Sequence, residues 1–421
     1  MATTDEQLNP HDQDDALRER AALVLPGGMY GHQSAARMPE GFPQFFSRGE
    51  GSHIWDADGN EYIDYMCSYG PIVLGHRHPG VERAVAAQAA DGDCFNAPTE
   101  RIVELAELMT GMIGHGDWAW FAKNGSDATR FALQVARAHS GKSTIARGEQ
   151  AYHGWGSTWM SGAEGMTPSD SDFQFNYTYN DLPSVRAAVD QAGDDLAAIV
   201  VSAVEYDAGG NWTMPDREFV QGVRDLCDAT GAVLVLDDVR AGFRLDLGGS
   251  WASYGIEPDI SAYCKAIANG YPLSAVVAKR ELEAAASKFF ATGSYWFSGI
   301  AMAASIATIT TLQETDGTAL IERAGTLLRR GLDAQAQAHG VAIKQSGPVQ
   351  VPALRFDGDD MTKMDIPRAM MFAGEAAKRG VYLHPTHNWF LSTAHSDEDI
   401  ERTLAATDVA FARVKESFGD E

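Results

Sequence analysis

The sequence is poor in positive charge, and it has no long apolar run. Its 33 lysines and arginines stand against 58 aspartates and glutamates, which gives a formal net charge of −25. Phosphate backbones and anionic lipid repel so acidic a chain, so the composition argues against nucleic-acid partners and membrane-surface roles. The longest uncharged, apolar-leaning run, residues 300–312, is shorter than the roughly 18 residues that cross a bilayer, and it predicts a buried helix and no membrane span.

Cysteine is also scarce. The four cysteines, at positions 67, 94, 227 and 264, form no CxxC pair, which is typical of reduced thiols and not of a disulfide framework. Residues 1–20 are polar and acidic, and they lack the basic start and apolar core of a secretory signal. Together these features predict a cytoplasmic protein.

The middle of the chain alternates between helical and strand-like patterns, and its strands are apolar nearly throughout. This alternation is typical of an α/β domain in which helices cover a mostly parallel sheet. The predicted strands are residues 143–147, 198–204, 232–237, 261–264 and 273–278, and the predicted helices are residues 127–139, 184–192 and 217–230.

Both ends of the chain predict a smaller α+β domain. Residues 55–65 predict two short strands joined by an Asp-Gly turn. Residues 319–339 and 397–416 have helical spacing, and residues 349–356 and 381–384 are strand-like. We therefore expect an N-terminal segment (1–75) that contributes to the small domain, a large α/β domain (76–325) and a C-terminal small domain (326–421).

Lysine is rare enough for its positions to be informative, because the chain has only nine. Lys265 follows an apolar strand and precedes a loop rich in Gly and Pro, so its amine is expected at the carboxyl end of a sheet strand, where open α/β sheets bind ligands. A partly buried lysine loses its proton easily and becomes a Schiff-base nucleophile. Position alone leaves an ordinary surface lysine as the alternative.

Asp237 ends another apolar strand and is followed directly by Asp238. Carboxylates there can bind metal, cap the next turn or hold a cationic ring nitrogen. His76 and His78 have weak spacing for metal ligands and no HExxH motif occurs, so we predict no metal site. The third option also uses Lys265, because a carboxylate beside a pyridine nitrogen keeps that nitrogen protonated as an electron sink.

Two further segments carry candidate ligand groups. Asn124, Gly125 and Ser126 come directly before a predicted helix, whose free N–H groups can hold a phosphate, although an ordinary N-cap explains the same residues. Tyr152 and His153 follow a predicted strand, where an aromatic ring can lie against a planar cofactor, although a buried loop tyrosine is the plainer alternative.

In this order and spacing, the four features resemble the class III aminotransferases of fold type I, and most closely the branch containing glutamate-1-semialdehyde aminomutase. The resemblance covers nearly the whole chain. Its matching segments are residues 25–28, 55–59, 70–71, 74–79, 97–100, 124–128, 152–154, 237–244, 265, 380–383 and 394–400.

The resemblance implies pyridoxal 5′-phosphate as cofactor and Lys265 as the residue that forms the Schiff base and carries the proton. It also implies that Asp237 pairs with the pyridine nitrogen. The remaining cofactor-binding residues implied are Asn124, Gly125, Ser126, Tyr152, His153 and Val239. A homodimer is implied as well, because active sites of the family lie between subunits.

Departures from the mutase bear on the substrate. Where that enzyme has an Arg for the substrate carboxylate, this chain has Ser34, with Arg37 out of register. Trp296 stands where many members have a Thr that reaches the phosphate across the dimer, so that contact is in doubt. The candidate substrate residues are Tyr30, Tyr69, Glu205, Tyr295 and Trp296.

These features predict an aminotransferase that moves an amino group between an amine or β/ω-amino acid and an oxo acid. The alternatives are an intramolecular aminomutase and a cofactor-binding relative without turnover. The presence of both Lys265 and Asp237 argues against the second alternative.

Overall fold

In the computed structural model, the chain is described at residues 8–156, 164–167, 169, 172–356 and 364–419. It forms two compact units. The first unit takes the described residues through His78 together with those from Ala319 onward, and the second runs from Pro79 to Thr318. The domain boundaries given above remain a prediction.

The described residues form eleven α-helices. They are α1 (Asp12–Val24), α2 (Pro79–Asp91), α3 (Arg101–Met112), α4 (Gly125–Ser140), α5 (Leu182–Ala192), α6 (Arg217–Thr230), α7 (Glu283–Ala286), α8 (Gly299–Glu314), α9 (Gly317–His339), α10 (Ile366–Ala377) and α11 (Asp397–Phe418).

The same parts of the chain form fifteen strands. They are β1 (Phe46–Glu50), β2 (His53–Asp56), β3 (Glu61–Asp64), β4 (Trp118–Ala122), β5 (Thr144–Gly148), β6 (Gln174–Tyr177), β7 (Leu196–Ser202), β8 (Glu205–Tyr206), β9 (Trp212–Thr213), β10 (Val233–Asp237), β11 (Ile260–Tyr263), β12 (Ser274–Ala278), β13 (Ile343–Ser346), β14 (Ala353–Phe356) and β15 (Val381–Tyr382).

The second unit is built on a seven-stranded sheet of order β4-β12-β11-β10-β7-β5-β6. Neighbouring strands from β6 through β11 are parallel, and only β12 runs antiparallel to its two neighbours. This confirms the predicted mostly parallel sheet. The central strands β7, β10 and β11 are buried along their whole length, because helices cover the sheet and exclude water.

Helix α4 packs on one face of this sheet. Its buried residues Phe131 and Val135 belong to one cluster with Val233, Val235 and Ile260 of the central strands. Side chains alternate along a strand, so Asp237 lies on the same face as Val233 and Val235. The sheet therefore presents Asp237 toward the side on which α4 begins.

The first unit has a four-stranded sheet of order β1-β2-β3-β15. Strands β2 and β3 pair antiparallel around the Asp-Gly turn, as predicted, with His53 opposite Ile63. Strand β15 joins β3 in parallel, so the sheet uses both ends of the chain.

Several predicted boundaries differ from the structure by a few residues. The strand predicted from residue 349 begins at Ala353, because a turn closed by Val351 N and Pro348 O precedes it and Pro352 has no N–H for a ladder. Helix α4 begins at Gly125, two residues before the predicted start. Within the described residues, no helix is long and apolar enough to cross a membrane.

Candidate active site

Three parallel strands bring the predicted catalytic residues to one edge of the sheet. Ser202 of β7 pairs with Asp237 of β10, and Asp237 pairs with Ala262 of β11. Since the strands run in the same direction, their carboxyl ends share one edge, which we call the carboxyl edge. Lys265 follows β11 at this edge, and Asp237 is the last residue of β10.

Lys265 has a backbone conformation that few lysines adopt. Its φ is 51°, in the left-handed region, and it begins a short 3₁₀ turn (Lys265–Ala268). Such a conformation costs a non-glycine residue about 1 kcal/mol or more. Burial and, to a smaller extent, the positive charge of Arg240 lower the pKa of the Lys265 amine to about 7. The amine is therefore substantially unprotonated at neutral pH.

Asp237 is held by a histidine from another loop. His153 Nδ1 lies 2.7 Å from Asp237 Oδ2, and both side chains are buried. An ionised carboxylate can only accept, so this contact places a proton on Nδ1. The other oxygen, Oδ1, accepts from the backbone N of Val239 at 3.1 Å. The sequence placed His153 among the cofactor-binding residues, and the structure places it against the carboxylate.

The start of α4 is an open helix N-terminus. Asp127 Oδ2 accepts from the backbone N of Asn124 at 2.9 Å, so part of the N-cap alternative is correct. Ser126 does not act as the cap: its Oγ accepts from Trp155 N at 2.8 Å, which leaves the hydroxyl hydrogen to donate elsewhere.

Glycine at this helix start allows close approach of other segments. A Cβ on Gly125 would stand 3.0 Å from Val239 Cγ1 and 3.8 Å from Cys264 Cβ, next to Lys265. A Cβ on Gly154 would stand 2.5 Å from Ser126 Oγ. The phosphate-type loop, Val239 and the residue before Lys265 therefore meet at one place.

Tyr152 and Glu205 lie in the same unit with opposite exposure. Tyr152 is 57% exposed, so its ring is open to a ligand. Glu205 is 3% exposed, and neither carboxylate oxygen has a hydrogen-bond partner of good geometry in the part of the chain that the structure describes. Burial raises the pKa of Glu205, although the nearby charge of His153 opposes that shift.

The candidate substrate residues are spread over both units. Tyr30 and Tyr69 belong to the first unit, where Tyr69 lines a cavity of about 260 Å³ together with Ser34, and its ring lies 5.4 Å from that of His387. Tyr295 of the second unit is 69% exposed. Trp296 packs edge-on against Trp120 at 4.9 Å, in an aromatic group with Phe131, so it also has a packing role.

The sequence analysis missed Arg240. Its guanidinium carbon lies 4.7 Å from the centre of the Trp212 ring, and its charge acts on Lys265. The sequence signal that could have identified Arg240 is its position, three residues after Asp237 at the end of a predicted strand. Asp238 points away from this group, because its Oδ2 accepts from Ser250 N at 2.8 Å.

A larger cavity, of about 680 Å³, contains none of the predicted site residues. It lies against the other face of the sheet and is lined in part by His115, Arg224, Trp251 and Tyr263. Among the residues that the structure describes, no three His, Cys, Asp or Glu side chains are placed to hold a metal ion.

Comparison with known families identifies the chain. The family model for class III aminotransferases matches residues 34–396. The chain belongs to the class III aminotransferase family. This membership confirms the predictions of fold class, enzyme class and pyridoxal 5′-phosphate as cofactor.

Three similar proteins place the aminotransferase within its family. An aminopentol aminotransferase of Sphingopyxis macrogoltabida is 46% identical over 96% of this chain and 94% of its own. The FumI protein of Sphingopyxis sp. MTA144, solved in its PLP internal aldimine form, is 45% identical with a TM-score of 0.94, over 97% of this chain and 98% of its own. A glutamate-1-semialdehyde 2,1-aminomutase of Desulfatibacillum aliphaticivorans is 34% identical over 94% of this chain and 98% of its own.

The residues present fit this cofactor. Helix α4 offers first-turn N–H groups, which favour a phosphate, and glycine at its start lets Val239 approach closely. Asp237 supplies a buried, oriented carboxylate, and Lys265 supplies an amine with lowered pKa. Each part of the cofactor therefore has a chemically matching group in the second unit.

Proposed function

We propose that this aminotransferase moves an amino group from an amine or a β/ω-amino acid to an oxo acid, with Lys265 as the reacting amine. One observation carries the proposal. At the carboxyl edge, a buried lysine with a pKa of about 7 stands near a carboxylate that is held by a histidine. Strongly shifted pKa values with specific partners are typical of catalytic groups.

Bound pyridoxal phosphate supplies a carbonyl carbon that takes up the amino group and a ring that accepts an electron pair. Lys265 Nζ would bind that carbonyl carbon as the free amine, since a substantial fraction is unprotonated at neutral pH. After the substrate amine has displaced it, the same nitrogen would take the proton from the substrate carbon that bears the amino group and hold it for return. A pKa near the working pH suits both tasks.

Asp237 holds the ring nitrogen in its protonated form. His153 Nδ1 and the backbone N of Val239 orient the carboxylate. Gly125 and Ser126 would hold the phosphate through backbone N–H groups and the Ser126 hydroxyl, without a lysine. Tyr152 and Val239 would lie against the ring.

The donor class is supported by what the chain lacks. Ser34 stands where the mutase resemblance expects an Arg, so that position offers no cation to a donor carboxylate. The similar protein from Sphingopyxis macrogoltabida is named for an aminopentol. We therefore place amines without an α-carboxylate first among the donors.

The test follows the absorbance of the bound cofactor. Holoenzyme is mixed with a panel of primary amines, β-amino acids and ω-amino acids, and the converted enzyme is then mixed with pyruvate or 2-oxoglutarate. Regeneration of the aldehyde form with alanine or glutamate as product supports the proposal. Turnover of glutamate-1-semialdehyde with no amino transfer to any oxo acid would show the aminomutase instead.

We also propose that the enzyme is a cytoplasmic homodimer. Large exposed apolar side chains on the second unit, among them Trp155, Phe290 and Tyr295, support a protein interface. The four cysteines form no disulfide among the described residues, which supports a reducing compartment. Sedimentation equilibrium of the holoenzyme tests the dimer, and a monomer at micromolar concentration would contradict it.

A further inference from the structure

Arg240 occupies a defined place in a row of residues at the carboxyl edge. Ser202, Asp237 and Ala262 are aligned across β7, β10 and β11. Three residues beyond them along each chain segment stand Glu205, Arg240 and Lys265. Arg240 therefore follows the middle strand, between the strand that leads to Glu205 and the strand that leads to Lys265.

The surroundings of Arg240 fix its guanidinium by one face. The guanidinium carbon lies 4.7 Å from the ring centre of Trp212, which is buried and packs against Tyr206 at 5.0 Å. A guanidinium that lies over an aromatic ring can still donate hydrogen bonds through its N–H groups. The residue is partly exposed, so a ligand at the carboxyl edge can reach it.

The electrostatics agree with this placement. After burial, the charge of Arg240 is the largest influence on the pKa of Lys265, and it lowers that pKa. The charged and titratable groups that act on Arg240 are Tyr206, Asp237, Glu205, Tyr152 and Lys265. Burial raises the pKa of Glu205, which favours its neutral form.

An oxo acid has one requirement that an amine donor lacks. Its carboxylate is bonded to the carbonyl carbon that must receive the amino group, so the anion has to be held close to the reacting amine. Ser34 removes the cation that the mutase resemblance would provide, whereas Arg240 offers a planar donor fork beside Lys265.

We propose that Arg240 binds the carboxylate of the oxo-acid acceptor and so selects 2-oxo acids for the second half of the reaction. The inference rests on the proposed function, because it assigns a substrate group to that same site. It adds a specificity-determining residue that acts on one of the two substrates.

The experiment separates the two half-reactions in the holoenzyme. Arg240→Gln, Arg240→Lys and the control Arg186→Gln, on the exposed face of α5, are each converted with a primary amine and then returned with pyruvate. In Arg240→Gln we expect the KM for pyruvate to rise about tenfold or more, since a hydrogen bond to a charged group is lost. Because the charge of Arg240 acts on Lys265, the half-reaction with the amine is judged in Arg240→Lys, which keeps the charge and loses the planar fork. Its rate with the amine should stay within about twofold, while its KM for pyruvate should stay above that of wild type.

A binding measurement provides a second readout. Propanoate carries the carboxylate of pyruvate without its carbonyl, so it cannot react. Calorimetry should give a Kd for propanoate that is about tenfold weaker in Arg240→Gln than in wild type, with Arg186→Gln unchanged.

The outcomes separate this inference from the proposed function. An unchanged pyruvate KM and propanoate Kd in Arg240→Gln would overturn the carboxylate role while amino transfer itself stands. An equal loss of rate in both half-reactions of Arg240→Lys would also overturn it, because Arg240 would then act through Lys265. Failure of wild-type enzyme to aminate any oxo acid would instead sink the proposed function.

Discussion

Two groups of buried polar residues, one in each unit, have opposite effects on the ionised forms of their side chains. In the first unit, Asp399 accepts from Ser52 Oγ at 2.8 Å, from Ser396 N at 2.9 Å and from His53 Nε2 at 3.0 Å. Burial opposes ionisation, yet these bonds hold the pKa of Asp399 well below its usual range, and the contact with Asp399 raises the pKa of His53. We call this group the Asp399 cluster.

The carboxyl edge of the second unit does the reverse. Burial lowers the pKa of Lys265 to about 7 and raises that of Glu205, so this environment disfavours charge on both groups. Hydrogen bonds to a charged group stabilise the folded state. A group whose charged form is disfavoured can gain or lose a proton near neutral pH, as catalytic groups do. The difference supports the proposal that the carboxyl edge is catalytic, and it predicts a structural role for the Asp399 cluster.

The largest expected effect is that of Lys265→Ala. Amino transfer should fall by about 10³-fold or more, because the variant loses both the nucleophile and the proton carrier. The Tm should equal or exceed that of wild type, since a buried amine with lowered pKa costs stability when protonated. Lys288→Ala, at an exposed position, is the control and should leave both quantities unchanged. A Lys265→Ala enzyme with near-normal turnover would contradict the assignment.

Asp237→Asn should have the second-largest effect. We expect a loss of about 10- to 100-fold in turnover, because the amide carries no charge to keep a ring nitrogen protonated and the His153 contact loses its charge. Steady-state kinetics and the absorbance of the bound cofactor measure it. Full activity in this variant would remove the main distinction between the carboxyl edge and the Asp399 cluster.

Asp399→Asn should show the opposite profile. Turnover per folded molecule should stay within about twofold, while the free energy of unfolding falls by about 1.5–3 kcal/mol through the lost charged hydrogen bonds. Asp397→Asn, on the same helix but exposed and paired only with Arg323 among the described residues, should leave the free energy of unfolding nearly unchanged, because water screens the exposed pair.

The pH dependence of that loss has a definite sign. The folded pKa of Asp399 lies below its unfolded value, so its contribution is present above about pH 4 and disappears as pH falls. The folded pKa of His53 is raised, so its contribution is present below about pH 6.5 and is lost as pH rises through the folded pKa. Chemical denaturation should therefore show the largest difference from wild type near pH 5 to 6. A difference that grows toward pH 3 would contradict this account.

Ser126→Ala should have the smallest effect. It removes the acceptor for Trp155 N and one hydroxyl donor, so cofactor affinity should weaken about fivefold, the equivalent of about 1 kcal/mol. Ser140→Ala, at the other end of α4, is the matched control and should leave affinity unchanged. Equal affinity in both variants would place the phosphate elsewhere.

Much of the second unit follows from local patterns. The central strands were predictable because buried parallel strands are apolar along their whole length, as β7 and β10 are. Lys265 and Asp237 were predictable because each is a polar residue directly after such a strand. The start of α4 was harder to predict, because glycine at position 125 is a poor helix former. The capping bond that Asp127 accepts from the backbone N of Asn124 fixes the helix start there.

The remaining features depend on contacts between distant segments. His153 and Asp237 are separated by 84 residues, so their pairing required the fold of two loops. Arg240 became significant only when strand register placed it in one row with Glu205 and Lys265. Trp296 gained a packing partner, Trp120, that no local pattern predicts.

The sequence by itself determined the family, the α/β pattern and the residue types that can react, because these depend on composition and on spacing along the chain. The tertiary structure alone decided how each group is charged. The pKa of Lys265 depends on how much water is excluded and on the charge of Arg240, and Asp237 depends on His153 for its orientation. Burial and electrostatic interaction act through space, so only the folded chain specifies them.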